Sequence, residues 1–241
     1  AYELERVRKV PLRTATWFTQ GTAVHVACEA YERSGRALSA EAVADVFESA
    51  WDEAMADQER KQPDHSMWIV GGRASRETDI TKRRALGRQQ TIDYVLRNPA
   101  NADFRPVEMI PGEYAVELEF ELNFDGVRVI GFIDQIREAI NTDELYPIDI
   151  KTGTKVPQDP YQMATYKIAI EELTGKPVNW GYWWMCKDGG LSEPFDLRPY
   201  TRDVVAKWYR DMDVAIKNDV FLGNPGDCFT CLAKPSCPLM G

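Results

Sequence analysis

Two hydrophobic periodicities follow one another along the chain, and the first of them is helical. Apolar residues recur at helical spacing over 22–34, which predicts a helix with Thr22 as its cap. Ser39 is expected to cap a second helix that extends to about residue 60. A third helix is expected from about residue 79 to 97. The first hundred residues are therefore predicted to be mainly helical.

After these helices the hydrophobic pattern changes to a period of two residues. Between Tyr114 and Phe124 apolar residues alternate with glutamates, which predicts a half-buried strand. Asp125-Gly126 is a strong hairpin signal, so Val127–Ile136 is the expected returning strand. The remaining pattern predicts, in order, a strand, a helix, an apolar buried strand and a last helix: Leu145–Lys151, Pro160–Thr174, Trp180–Cys186 and Thr201–Asp219.

This order of elements predicts the fold class. Hairpin-joined strands followed by a crossover helix and a further strand build a mixed central sheet with helices packed on it, an α/β (α+β) architecture. We expect a single domain over 1–241. Within it, 36–98 is predicted to be a helical insertion and 224–241 a cysteine-rich tail.

Composition and charge limit the kinds of partner that the protein is expected to bind. No apolar run is long enough to span a bilayer and the N-terminus lacks an apolar signal segment, so we expect a cytoplasmic protein without a membrane partner. The net charge of -9 argues against nucleic acid, but residues 73–97 carry seven Lys or Arg against three acids. A local basic face can bind a polyanion while the whole molecule stays acidic. A solvated helix surface is the alternative.

Candidate chemistry is concentrated on two of the predicted strands. Asp134 lies on the returning strand, and Asp149-Ile150-Lys151 closes the next one. Side chains two apart on a strand share a face, and adjacent antiparallel strands can bring Asp134 beside Asp149. Two carboxylates and a lysine suit Mg²⁺ or Mn²⁺ binding and phosphodiester hydrolysis. Taken alone, an Asp-x-Lys pair is most often a surface ion pair.

Other residues can join this group. His25, near the start of the first predicted helix, is one of only two histidines and can be a further metal ligand. Gln162 and Tyr166 lie one turn apart on the crossover helix, where both can reach the end of the sheet. Glu117 and Glu119 lie on the first strand; either can join the site, although a solvated strand face is the favoured interpretation.

Three of the five cysteines lie close together near the C-terminus. Cys228, Cys231 and Cys237 can wrap a soft metal or an iron–sulfur cluster. Zinc is the second interpretation and a reduced thiol cluster the third. Cys28 and Cys186 are expected mainly in the core, although Cys28 lies one turn beyond His25.

Together these motifs resemble the RecB-like branch of the PD-(D/E)XK nuclease superfamily. The resemblance covers residues 21–166 and consists of four motifs in order: Gly21-Thr22-Ala23-Val24-His25, Gly131-Phe132-Ile133-Asp134, Asp149-Ile150-Lys151-Thr152-Gly153 and Gln162-Met163-Ala164-Thr165-Tyr166. It implies a restriction-endonuclease-like core. His25, Asp134 and Asp149 would be metal ligands with help from the Ile150 carbonyl. Lys151 would be catalytic, with Gln162 and Tyr166 supporting the site.

The cysteine tail also resembles that of several RecB-like nucleases, in which it binds a 4Fe–4S cluster together with one cysteine upstream of the histidine motif. No cysteine precedes His25 in this sequence. We expect the fourth ligand to lie before Ala1; substitution by another residue is the alternative.

The expected function is that of a DNA exonuclease or endonuclease acting on single strands or duplex ends, in recombination, repair, phage replication or CRISPR adaptation. The alternative is a non-catalytic DNA-binding or partner-binding module of a recombination or spacer-acquisition complex. A hydrolase of small phosphoesters is a third possibility.

Overall fold

The computed structural model describes residues 3–139, 142–222, 228 and 230–238. Its five α-helices are α1 (Thr16–Arg33), α2 (Ala40–Lys61), α3 (Arg76–Arg97), α4 (Tyr161–Thr174) and α5 (Arg202–Lys217). Its strands are β1 (Thr14–Ala15), β2 (Trp68–Ile69), β3 (Phe104–Pro106), β4 (Glu108–Ile110), β5 (Glu113–Tyr114), β6 (Val116–Phe124), β7 (Val127–Ala139), β8 (Leu145–Lys151), β9 (Trp180–Met185), β10 (Gly190–Leu191) and β11 (Phe195–Asp196).

A seven-stranded mixed sheet lies at the centre of the fold. Strand β7 pairs with β8 along one edge and with β6 and β3 along the other, always antiparallel. Strand β8 pairs parallel with β9, and the chain crosses between them through α4, as a parallel connection requires. Strands β10 and β11 extend the sheet beyond β9. The predicted α/β class with a mixed sheet and flanking helices is confirmed.

Helices cover the sheet in two hydrophobic clusters. Helices α4 and α5 pack against one set of strand residues, which includes Ile133 and Ile136. Helices α1, α2 and α3 pack together over another set, which includes Ile148, Ile150 and Trp184. The predicted insertion over 36–98 thus contributes α2 and α3 to the same layer as α1. The structure describes only part of the predicted tail, since 224–227, 229 and 239–241 lie outside the described residues.

Of the element boundaries predicted from the local pattern, the start of α1 differs most from the structure. The helix begins at Thr16 rather than at Thr22, and its N-cap, Ala15, offers no side-chain cap. The early turn is held by tertiary hydrogen bonds instead: Thr16 bonds to Asp79 of α3, and the Gln20 side chain donates to Gln90 of α3 at 2.7 Å. Local capping signals cannot reveal such partners.

The acidic face of α2 and part of the basic face of α3 neutralise each other. Arg84 pairs with Glu48 and with Asp52, and Arg88 pairs with Glu41 across the same helix interface. The acidic residues of α2 are therefore not simply a solvated face. Arg84 and Arg88 are therefore already neutralised, and a polyanion has to pair with the other basic residues of this segment.

A buried polar network fixes α1, α3 and β7 to one another. The Arg137 guanidinium of β7 donates to Gln135 (2.9 Å), to Asn98 (2.8 Å), to the Tyr94 hydroxyl (2.7 Å) and to Glu32 of α1 (3.2 Å). Arg137 and Glu32 are almost completely buried. Buried charges of this kind are tolerated only when they are paired and hydrogen-bonded, so the network holds these elements in one arrangement.

We predict that Arg137→Met lowers the free energy of unfolding by about 3 kcal/mol, because it leaves Glu32 and the Tyr94 hydroxyl without their shared donor. The loss stays near the lower end of the range for broken buried pairs since Arg36 still pairs with Glu32. Urea denaturation measures the effect. Arg128→Met is the control, because Arg128 forms an exposed pair with Glu121, and its unfolding curve should match the wild type. Equal midpoints for the two variants would contradict the prediction.

Candidate active site

The predicted pairing of Asp134 with Asp149 follows from strand register. Gln135 of β7 lies opposite Ile148 of β8, so one residue further the antiparallel register places Asp134 opposite Asp149. The Asp134 carboxylate also accepts a hydrogen bond of 2.8 Å from the backbone N–H of Ile150. Both aspartates are buried. Two adjacent strands thus bring two carboxylates together at the end of β8.

Glu117 is a third carboxylate in the same row. Val116 of β6 lies opposite Gln135 of β7, which places Glu117 opposite Asp134. The Glu117 backbone has a left-handed φ of 47°, an uncommon conformation for a residue other than glycine. Its side chain is half-buried, whereas that of Glu119 is exposed. The favoured interpretation of Glu117 as part of a solvated strand face was wrong.

The sequence did contain a signal for Glu117. Asp125 and Gly126 form the two-residue turn with left-handed φ values of 55° and 93°. Phe124 and Val127 flank that turn as a pair. Glu117 and Asp134 lie at equal distances from the turn, so the hairpin register alone pairs them.

His25 reaches this row of carboxylates from α1. Its Nδ1 lies 3.4 Å from an oxygen of Asp134 and 3.6 Å from an oxygen of Glu117. Its Nε2 lies 2.9 Å from the carbonyl oxygen of Ile150. Within the part of the chain that the structure describes, His25, Glu117 and Asp134 form the only group of three potential metal ligands whose atoms lie within 4.8 Å of one another.

Lys151 connects Asp149 to the crossover helix. Its ammonium group lies 2.6 Å from an Asp149 carboxylate oxygen and donates a hydrogen bond of 2.9 Å to Gln162. The Gln162 amide donates in turn to the Tyr166 hydroxyl at 2.9 Å. Three predicted site residues, Lys151, Gln162 and Tyr166, thus form one chain of contacts that starts at Asp149.

The glycines of two motifs lie close to other side chains beside the site. A Cβ added to Gly131 would lie 2.6 Å from the ring of Phe120, so no larger residue fits there without displacing the ring. Gly21 faces the Thr152 hydroxyl, at 3.6 Å from the position of an added Cβ. That distance is an ordinary van der Waals contact, so an alanine would also fit at Gly21.

Burial and mutual repulsion disfavour negative charge on the two aspartates. Burial and the neighbouring Asp149 raise the pKa of Asp134 to about 7, and burial also raises the pKa of Asp149. Burial would lower the pKa of His25, but its hydrogen bond with Glu117 and the nearby aspartates raise it to about 9. Burial keeps the pKa of Tyr166 above its usual range, so its hydroxyl stays protonated.

This donor set fits a divalent cation. Asp149 Oδ1 is buried and has no hydrogen-bond partner among the described residues, which is costly unless a cation or a water molecule supplies one. The remaining donors are two carboxylates, the oxygen ligands that suit Mg²⁺ or Mn²⁺, and one imidazole, a ligand more typical of transition-metal ions. His25, Asp134, Asp149, Ile150, Lys151, Gln162 and Tyr166 meet at one place, together with Glu117, which the sequence interpretation did not favour.

The cysteines do not form a comparable group in the described residues. Cys28 and Cys186 are buried in the core between the sheet and α1. The described part of the tail docks on the N-terminal segment: the backbone N–H of Arg13 donates to Leu232, and the Arg13 side chain donates to the carbonyl of Cys231. The 4Fe–4S cluster and the alternative zinc site on Cys228, Cys231 and Cys237 stay predictions.

The aromatic run of β9 serves mainly the core. Trp183 and Trp184 are buried, and Tyr182 packs edge-to-face on Tyr146. Trp180 is half-buried beneath the guanidinium of Arg198, 4.8 Å from its ring centre. A stacking platform for nucleobases therefore has to be sought elsewhere on the surface. The described helices also include none long and apolar enough to cross a bilayer.

Comparison with known families agrees with this geometry. Residues 1–238 match the PD-(D/E)XK nuclease superfamily, and the chain belongs to it. Among its relatives are the Gene 69 proteins of Mycobacterium phages L5 and D29, which are 28% and 29% identical to it. Each alignment covers 99% of this chain and 91% of the phage protein. Membership in the superfamily indicates a nuclease.

We predict that Glu117→Gln weakens Mn²⁺ binding at least tenfold, because loss of a direct ligand costs no less than the 10- to 100-fold typical of outer-shell partners. Isothermal titration of the metal into the protein measures the affinity without any substrate. Glu119→Gln is the matched control: it makes the same change two residues away on an exposed position and should leave the affinity unaltered. Similar affinities for the two variants would remove Glu117 from the ligand set.

Proposed function

We propose that this protein is a Mg²⁺- or Mn²⁺-dependent DNA nuclease, an exonuclease acting on single strands or duplex ends. The observation that carries the proposal is the row of Glu117, Asp134 and Asp149 across three adjacent strands, with Lys151 in contact with Asp149. Carboxylates that crowd together out of water need a compensating cation. A lysine at the same place suits a reaction on a phosphodiester.

The residues that would hold the metal are His25, Glu117 and Asp134, with Asp149 and the carbonyl of Ile150 beside them. A bound divalent ion would neutralise the scissile phosphate and make a coordinated water more acidic. His25 also positions the end of β8, because its Nε2 contacts the Ile150 carbonyl while its Nδ1 faces the carboxylates. The imidazole therefore ties α1 to the reacting edge of the sheet.

Lys151 is the residue to which we assign the chemical step. Its ammonium group is held between Asp149 and Gln162, so its position is fixed before substrate binds. A fixed positive charge at this distance from the carboxylates can orient the attacking water and stabilise the negative charge that develops on the phosphate. The half-buried side chain leaves its nitrogen accessible from the site.

Gln162 and Tyr166 act as positioning residues for Lys151. The Gln162 carbonyl oxygen accepts from Lys151, and this leaves its amide to donate to the Tyr166 hydroxyl. Tyr166 is buried in the core cluster beneath α4, so the chain of contacts is anchored in rigid structure. Because its hydroxyl stays protonated, Tyr166 serves as a support and not as a base.

The alternative is a DNA-binding or partner-binding module without catalysis, in a recombination or spacer-acquisition complex. The geometry favours the enzyme because Asp149 keeps a buried oxygen without a hydrogen-bond partner among the described residues, a cost that a binding module has no reason to carry. The RecB-like branch, the cluster on Cys228, Cys231 and Cys237, and a role in recombination, repair, phage replication or CRISPR adaptation stay predictions.

We expect Lys151→Ala to lower the rate of DNA cleavage by about 10²- to 10⁴-fold, because it removes a group that acts on the reacting atoms. Cleavage of labelled single-stranded DNA in Mg²⁺ or Mn²⁺ measures the rate. Lys155→Ala is the matched control, since Lys155 is exposed on the loop just beyond the site. Equal cleavage rates for the two variants would contradict the assignment of Lys151 to the chemical step. Wild-type protein that binds DNA but never cleaves it would favour the binding module.

A further inference from the structure

Aromatic rings and arginines meet where the first turn of α1 faces β2 and α3, and of these rings Phe18 is exposed, Trp17 half-buried and Trp68 buried. The Arg83 guanidinium lies 5.6 Å from the ring centre of Trp17, and that of Arg76 lies 5.5 Å from the ring centre of Trp68. The ring of Phe18 lies 5.8 Å from that of Trp17 and is 37% exposed. We call these residues, with the neighbouring Arg73, the arginine–aromatic patch.

The patch keeps positive charge, unlike Arg84 and Arg88 further along α3, which pair with acids of α2. Arg73 is exposed and has neither an ion pair nor a hydrogen bond within the described chain. Among the described residues Arg76 forms an ion pair only with the exposed Glu77, at 3.6 Å, and its buried Nη1 has no hydrogen-bond partner there. Arg83 shares its charge with Asp79 at 3.4 Å. A polyanion can therefore gain ion pairs here that the protein does not already make.

The patch and the carboxylate site lie along one face of α1. Phe18, Thr22 and His25 are spaced by four and three residues, which places them on the same side of the helix. Phe18 and Thr22 are exposed, and His25 is half-buried at the site. Seven residues of helix separate Phe18 from His25 by about 10 Å, the span of about three nucleotides at the 3.4 Å spacing of a stacked strand.

We propose that single-stranded DNA held at the carboxylate site continues along α1 to the arginine–aromatic patch, where a base stacks on Phe18 and phosphates contact Arg73 and Arg76. This inference rests on the proposed nuclease function and specifies its substrate. Aromatic stacking combined with a positively charged track is how proteins bind single strands without regard to sequence. A fully paired duplex hides the faces of its bases, so the patch selects single strands or unpaired ends.

The test compares oligonucleotide binding by Phe18→Ala, Arg73→Gln and the wild type. Fluorescence anisotropy with labelled oligo-dT of 20 nucleotides, in EDTA to prevent cleavage, gives the affinity. We expect Phe18→Ala to bind about tenfold more weakly, the effect of losing one base stack. Arg73→Gln should reduce the slope of log affinity against log salt by about 0.7, the value for one lost phosphate contact on a single strand. Arg73 is exposed, so this variant should fold even if Phe18→Ala does not.

Arg88→Gln is the matched control for charge. It removes the same charge at a position on α3 that α2 already neutralises, and should leave the salt slope unchanged.

Wild-type affinity of both patch variants for the 20-mer would overturn the proposal. So would an equal loss of affinity by Phe18→Ala for blunt duplex and for single strands, because stacking requires unpaired bases. The nuclease assignment is tested separately. If the wild type cleaves no DNA in Mg²⁺ or Mn²⁺ while the patch variants still lose affinity, the catalytic function is wrong. The patch is then a single-strand binding surface.

Discussion

The structure depends on holding Glu117, Asp134 and Asp149 side by side across β6, β7 and β8. Three carboxylates at this spacing repel one another, and burial removes the water that would otherwise screen them. The central sheet resists this repulsion because backbone hydrogen bonds fix the register of all three strands. Lys151 and His25 compensate part of the negative charge, and a divalent cation fits the remainder. The rigid sheet thus holds the carboxylates together against their electrostatic repulsion.

The scaffold must also bring α1 to this edge of the sheet, because α1 supplies His25 to the site. The buried ion pair between Glu32 and Arg137 holds α1 in this position, two turns further along the helix from His25. Arg137 lies three residues beyond Asp134 on β7, so one network of buried hydrogen bonds sets the helix against the strand that carries a central carboxylate. Stability and metal affinity should consequently respond together when this network is disturbed.

Net charge says little about where this acidic protein can meet DNA, since its formal charge of -9 is unevenly distributed. The acids of α2 pair with Arg84 and Arg88 of α3, whereas Arg83 lies beside Trp17 of α1 and Arg76 beside Trp68 of β2. The arginines that do not lie near the acids of α2 therefore form a small positive track that leads from the carboxylate site. The aromatic run of β9, which is more conspicuous in sequence, is occupied by packing in the core.

The sequence by itself determined the order of the elements, the Asp125-Gly126 turn and the grouping of Asp134, Asp149 and Lys151, because alternation and turn chemistry are local properties of the chain. It did not determine the start of α1, which depends on hydrogen bonds to α3, or the short strands β3, β10 and β11, which exist through their partners. Only the tertiary structure decided that Glu117, which the hairpin register pairs with Asp134, also meets His25 of α1, and which arginines stay available. Both outcomes depend on contacts between residues distant in sequence, where the register of a strand or the charge of a facing helix overrides the local pattern.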